Sequence, residues 1–176
     1  NGQNDILVKK YEEYVSNDPK ISDDESILRN MVEAQYELGK YNDALEFSNK
    51  LMNMNSDMEP DDVDEERSFR DYVWRGFIFT KLDPPRYEDA YKCFHKATKI
   101  SPEDNDAYQF WGIALFEDKK YPEAKEKFQK SYELSKSDSD LLWKGKAIKK
   151  IGSSSNDDSI TKEAEEIFDS ILESTE

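Results

Sequence analysis

The sequence predicts an all-α chain of stacked antiparallel helix pairs, about nine helices in all. Three observations carry this. Tyr121, Ala124 and Phe128 recur 34 residues earlier as Tyr87, Ala90 and Phe94, and self-similarity at such a period marks a repeat architecture. Charged residues reach 37 % and apolar ones only 36 %, yet aromatics are 12 %. That pairing argues against disorder and suits thin layers with a narrow apolar seam each. Small residues, Gly76 and Gly112 on one helix and Ala90 and Ala124 on the next, stand where paired helices must approach closely.

Taken in order, residues 1–24 read as a lone amphipathic helix with Ile6, Leu7, Tyr11, Tyr14 and Val15, ended before Pro19. It is either a cap or the remnant of an earlier unit. Residues 25–58 form a first unit with Leu28, Met31, Val32 and Gln35 on helix A. Its corner is Leu38 to Ala44, and Phe47 and Leu51 continue on helix B. Ser22 and Glu25 suggest a capping box at its start. Residues 59–68 are an acidic linker or helix extension, within a run of seven acids from Asp57 to Glu66.

The second unit, 69–104, carries Tyr72, Gly76, Phe79, Tyr87, Ala90, Phe94 and Ala97, and Pro102 closes it. Its corner holds Pro84 and Pro85, so helix A is expected to end near Leu82. The third unit, 105–138, states the pattern most fully. Tyr108, Trp111 and Leu115 share a face, Gly112 permits close approach, and Pro122 suits the first turn of helix B. An irregular fourth unit, 139–176, has Leu141, Gly145, Ile148 and Gly152 on helix A. A polar loop is expected over 153–159, followed by a C-terminal helix with Ala164, Phe168 and Ile171.

With Tyr108, Trp111, Gly112, Leu115, Tyr121, Ala124 and Phe128 in this spacing, and Tyr-x-x-Ala three times over, the chain resembles the tetratricopeptide-repeat (TPR) proteins across roughly residues 25 to 174. The resemblance implies a right-handed superhelix whose A helices line a concave groove for an extended peptide or a helix of another protein. It also bears on ligand type. Relatives that hold acidic chaperone tails use a lysine and asparagine clamp. The matching positions here are Arg29 and Glu33, then Trp74, then Asp106 and Phe110, so an apolar ligand is expected instead.

The net charge of −15 disfavours nucleic acid and anionic membrane surfaces as partners. No apolar run approaches membrane-spanning length. One cysteine, Cys93, forbids an intrachain disulfide and suits a reducing compartment such as the cytoplasm. The chain opens on Asn1 rather than Met, which reads as a trimmed start, and a processed exported protein would look the same.

No catalytic, cofactor or metal residues are expected, and the chain reads as a non-enzyme. His95, the only histidine, stands two residues from Cys93, which on a helix points the two apart. The acid-rich stretches lack the glycine and oxygen spacing of a calcium loop.

Periodicity on the A helices sets the candidate peptide groove as Arg70, Trp74 and Phe77, then Phe110, Ile113 and Phe116, then Trp143, Lys146, Lys149 and Lys150. Contiguous exposed aromatics favour a partner, because covering them releases much water. The same residues also fit a core between helices. The expected partner is a protein or peptide with an apolar segment, its acidic flank meeting the lysines. Self-association of an assembling array, or service as the regulatory part of a larger protein, stand as alternatives.

Overall fold

The computed structural model describes residues 2–56 and 65–173. Among them are nine α-helices, one short 3-10 turn and no strand. The helices are α1 (Gly2–Asn17), α2 (Glu25–Glu37), α3 (Tyr41–Ser56), α4 (Glu65–Lys81), α5 (Tyr87–Ile100), α6 (Asn105–Glu117), α7 (Tyr121–Ser135), α8 (Asp138–Ser155) and α9 (Asp158–Glu173), with the turn at Pro19–Asp23 between α1 and α2. Most of the linker expected over 59–68 lies outside the described residues, and α4 takes up its end from Glu65. No helix among the described residues is long and apolar enough to cross a membrane.

The chain divides into two compact units, Asn1–Cys93 and Phe94–Glu176. In the first, α3 packs on α2 and α4, and α2 touches α4 directly. The solitary α1 lies on α2. It buries Val8 against Met31 and Ala34 and sets Tyr11 edge-on to Phe47 at 5.3 Å. The start of α2 differs from expectation. Asp24, not Ser22, is its N-cap, the carboxylate accepting the Ile27 amide at 3.0 Å, while the Ser22 hydroxyl donates to Asp23. Asp24 lies immediately before the first helical residue, so its oxygen reaches an orphan amide of the first turn.

In the second unit α6, α7, α8 and α9 pack in succession, and α6 also meets α8. The close approach assigned to Gly112 is literal. A β-carbon there would stand 2.6 Å from the ring of Phe128, a side chain with no exposure. Gly145 admits the Phe168 ring in the same way, also at 2.6 Å. The first repeat, residues 25–58, solves the same problem in reverse. Counting back from Tyr41 as from Tyr121, Val32 takes the place of Gly112 and Ser48 that of Phe128, both buried. Bulk has moved from helix B to helix A, and for that reason the unit resembles the others only weakly.

Corners repeat atom for atom. After α2, the amides of Leu38, Gly39 and Lys40 donate to the carbonyls of Ala34, Tyr36 and Gln35. After α6, those of Asp118, Lys119 and Lys120 donate to Ala114, Phe116 and Leu115. Such bonds satisfy the last carbonyls of a helix and need a left-handed residue. Gly39 supplies it at φ 74°, whereas Lys119 adopts φ 61° despite its side chain, as do Lys136 after α7 (54°) and Asn156 after α8 (52°).

The polar loop expected over 153–159 is mostly helix. The hydroxyls of Ser153, Ser154 and Ser155 donate to the carbonyls of Lys149, Lys150 and Ile151, one turn back, at 2.8, 2.8 and 3.0 Å. These bonds satisfy the hydroxyls within the helix, so a polar serine run need not leave it. Asn156 then ends α8, and α9 begins at Asp158.

Candidate functional site

Two aromatic clusters form by one rule, one in each unit. Trp74 stands two residues before Gly76, and Trp143 two before Gly145. In the first unit Trp74 meets Tyr36 of α2 edge-on at 5.4 Å, and Tyr36 meets Tyr41 edge-on at 5.3 Å. Phe77 closes the group, 6.1 Å from Trp74 and 6.2 Å from Tyr36. In the second unit Trp143 meets Phe116 of α6 edge-on at 5.7 Å, and Phe116 meets Tyr121 at 5.2 Å. Trp143 also stacks on the buried Phe128 at 5.6 Å, and Lys146 Nζ stands 4.2 Å from the Trp143 centroid. Edge-to-face pairs of this kind are each worth about 1 kcal/mol beyond their burial.

The expected groove residues therefore divide. Trp74, Phe77, Phe110, Ile113, Phe116, Trp143 and Lys146 are half-buried, whereas Arg70, Lys149 and Lys150 are exposed. Rings that the periodicity turns outward also serve the seams between helices. Tyr36, Tyr41 and Tyr121 also belong to these clusters; the sequence marks Tyr41 and Tyr121 as corner residues and none of the three as a groove residue. Their signal was the common offset of Tyr36 and Phe116 from the corner tyrosines, five residues in each case.

Polar ties repeat as well. Arg29 on α2 reaches Asp71 on α4 with Nε to Oδ1 at 2.9 Å and Nη2 to Oδ2 at 3.0 Å, and Nη2 also donates to Glu25 at 3.1 Å. At the matching places of the second unit, Gln109 on α6 donates to Asp140 on α8 at 2.6 Å, and Ser135 completes that fully buried carboxylate. Burial pushes the Asp71 carboxyl above its ordinary pKa despite the pull of Arg29. Burial also opposes the charge on Arg29, but its carboxylate partners outweigh that and raise its pKa. Asp106 is pushed up by burial and then by the neighbouring charges of Asp104 and Asp140.

Beside the first cluster lies a depression of about 250 Å³ between α2 and α4, walled by Val32, Leu51 and Trp74 and rimmed by Asn30, Glu33 and Arg70. Cys93 is buried, and His95 is exposed, lying edge-on to Trp111 at 5.8 Å. Among the described residues no group of histidine, cysteine or acidic side chains is placed to hold a metal ion.

No protein-family model and no curated protein matches the chain. Solved structures do match. MamA from Desulfovibrio magneticus RS-1 is 18 % identical with a TM-score of 0.66, over 98 % of this chain and 95 % of that one. A thermophilic TPR protein of Thermus thermophilus is 14 % identical at 0.61, over 97 % and 91 %. YrrB, described as a TPR protein with an unusual peptide-binding site, is 14 % identical at 0.65, over 98 % and 78 %. At these identities the likeness is one of fold. The chain has the all-α TPR fold of stacked helix pairs.

Proposed function

We propose that this chain is a non-enzymatic scaffold that holds segments of other polypeptides. Arg70, Trp74 and Phe77 would present the binding face of the first unit. Phe110, Ile113, Phe116 and Trp143 would present that of the second, with Lys146, Lys149 and Lys150 meeting acids beside an apolar segment. The observation that carries this reading is the pair of aromatic clusters, half-open and built at one register in both units. Aromatic anchors in preformed surroundings supply affinity at low ordering cost. YrrB, a likeness in fold, is itself a protein with a peptide-binding site.

Trp74→Ala/Phe110→Ala tests the reading. The variant should keep its helical circular dichroism while losing binding to apolar peptides selected on the parent chain. Its melting temperature should drop by several degrees, because Trp74 also supports Tyr36. Unchanged peptide binding would sink the proposal.

A second reading, self-association, draws on Ile6 and Leu172, which are 56 % and 66 % exposed on the first and last helices. Light scattering across concentration separates the two, since an assembling array must grow in mass.

A further inference from the structure

We infer that the groove of the first unit selects a segment in which apolar residues alternate with basic ones, a base being held at Glu33. This rests on the groove reading above and narrows it. Ser26, Asn30, Glu33 and Glu37 are all exposed and follow one another at four, three and four residues along α2. That spacing makes one ridge on the helix surface. Two depressions flank it and share Asn30 and Glu33. One, of about 250 Å³, is walled toward α4 by Trp74, and the other, of about 290 Å³, is walled toward α1 by Leu7.

The charge along this ridge is one-sided. Arg29 lines the depression toward α4, but its guanidinium is already engaged by Asp71 and Glu25. Among the described residues, no ion pair or hydrogen bond engages the carboxylates of Glu33 and Glu37. Arg70 is the one cation at the rim that no carboxylate among the described residues bonds, so the ridge is net negative within a chain of net charge −15. An acidic segment laid here meets uncompensated carboxylates, whereas a lysine or arginine meets Glu33 with the Trp74 indole nearby.

The dimensions fit an extended chain. From Ser26 to Glu37 the ridge runs about 16 Å at the helical rise, the length of about five extended residues. In such a segment alternate side chains point to opposite sides. A segment laid along the depression toward α4 therefore sets its bases toward the ridge and Glu33, and all their apolar neighbours on the other side, toward Trp74. A free cation would make no use of Trp74.

The test is fluorescence anisotropy of the full chain with three labelled peptides, Leu-Lys-Leu-Arg-Leu and its analogues with glutamine or glutamate at both polar positions. The basic peptide should bind about tenfold more tightly than the glutamine one, and the acidic peptide more weakly than either. Glu33→Gln/Glu37→Gln should abolish that preference and leave the glutamine peptide unchanged. Glu12→Gln/Glu13→Gln, which removes the same charge from exposed positions of α1, should retain it. Equal binding of all three peptides, or loss of the preference in both variants, overturns the inference. The groove reading survives that result if Trp74→Ala still releases the glutamine peptide. If Trp74→Ala leaves every peptide bound as before, or none binds the parent chain, both readings fail.

Discussion

Arg29 and Asp71, 42 residues apart, are joined by two parallel hydrogen bonds of 2.9 and 3.0 Å. The planar guanidinium and the carboxylate fix each other in rotation as well as distance. Because α2 and α4 carry them, the pair sets how one A helix is turned against the next. Gln109 and Asp140 hold α6 against α8 from the same positions.

Removing Arg29 should therefore cost more than an exposed ion pair would. Asp71 is 4 % exposed, and Arg29→Ala leaves its charge uncompensated, an effect of about 3 kcal/mol. In Arg29→Met/Asp71→Leu no buried charge is stranded, and stability should return to within about 1 kcal/mol of the parent. Urea midpoints at constant slope give both values.

Gly112→Ala should destabilise by about 1–3 kcal/mol, because the new methyl falls on the Phe128 ring in a filled core. Phe128→Leu introduced with it should recover part of the loss. Thermal unfolding of the two single variants and the double variant gives the coupling energy directly.

Gln35→Leu should stabilise. The Gln35 side-chain oxygen is buried and has no hydrogen-bond partner, and such an oxygen costs about 1 kcal/mol or more. At the matching place in the third unit Leu115 is 4 % exposed. The measurement is a rise in the urea midpoint with unchanged slope.

Asp157 makes α9 sensitive to acid. Its carboxylate accepts the hydroxyl and the amide of Ser159, at 2.6 and 2.9 Å, and these bonds hold its pKa below the ordinary value. A depressed folded pKa means that the carboxylate stabilises the helix start fully above the unfolded value of about 3.9. The contribution fades as pH falls through the lower folded value. Protection of the Ser159 and Ile160 amides, relative to the intrinsic exchange rate at each pH, should fall over that interval in the parent chain. Asp157→Asn retains a capping oxygen without the titration, so its exchange should lack this added acid step.

The repeat was legible because glycine, alanine and tyrosine at fixed intervals record where helices touch and turn. What escaped was whatever depends on a second helix. Nothing local pairs Arg29 with Asp71, or tells a ring facing a groove from one facing a seam. Trp74 and Trp143 are half-buried and pack on rings of neighbouring helices. Val32 and Ser48 blurred the first unit because the complementarity was kept while the residue types were exchanged. The serines at 153–155 read as a loop by composition, and only their bonds to the preceding turn reveal a helix.

Lys119, Lys136 and Asn156 hold left-handed corners that Gly39 holds without strain. Each lysine there costs about 1 kcal/mol, whereas asparagine tolerates the conformation, so the two lysines together withhold about 2 kcal/mol from a fold whose whole margin is on the order of 10 kcal/mol. The remedy is already present in the chain, since Gly39 occupies in the first unit the place of Lys119 in the third. One repeat can thus serve as the template for correcting another, and Lys119→Gly would harden the scaffold without touching either aromatic cluster.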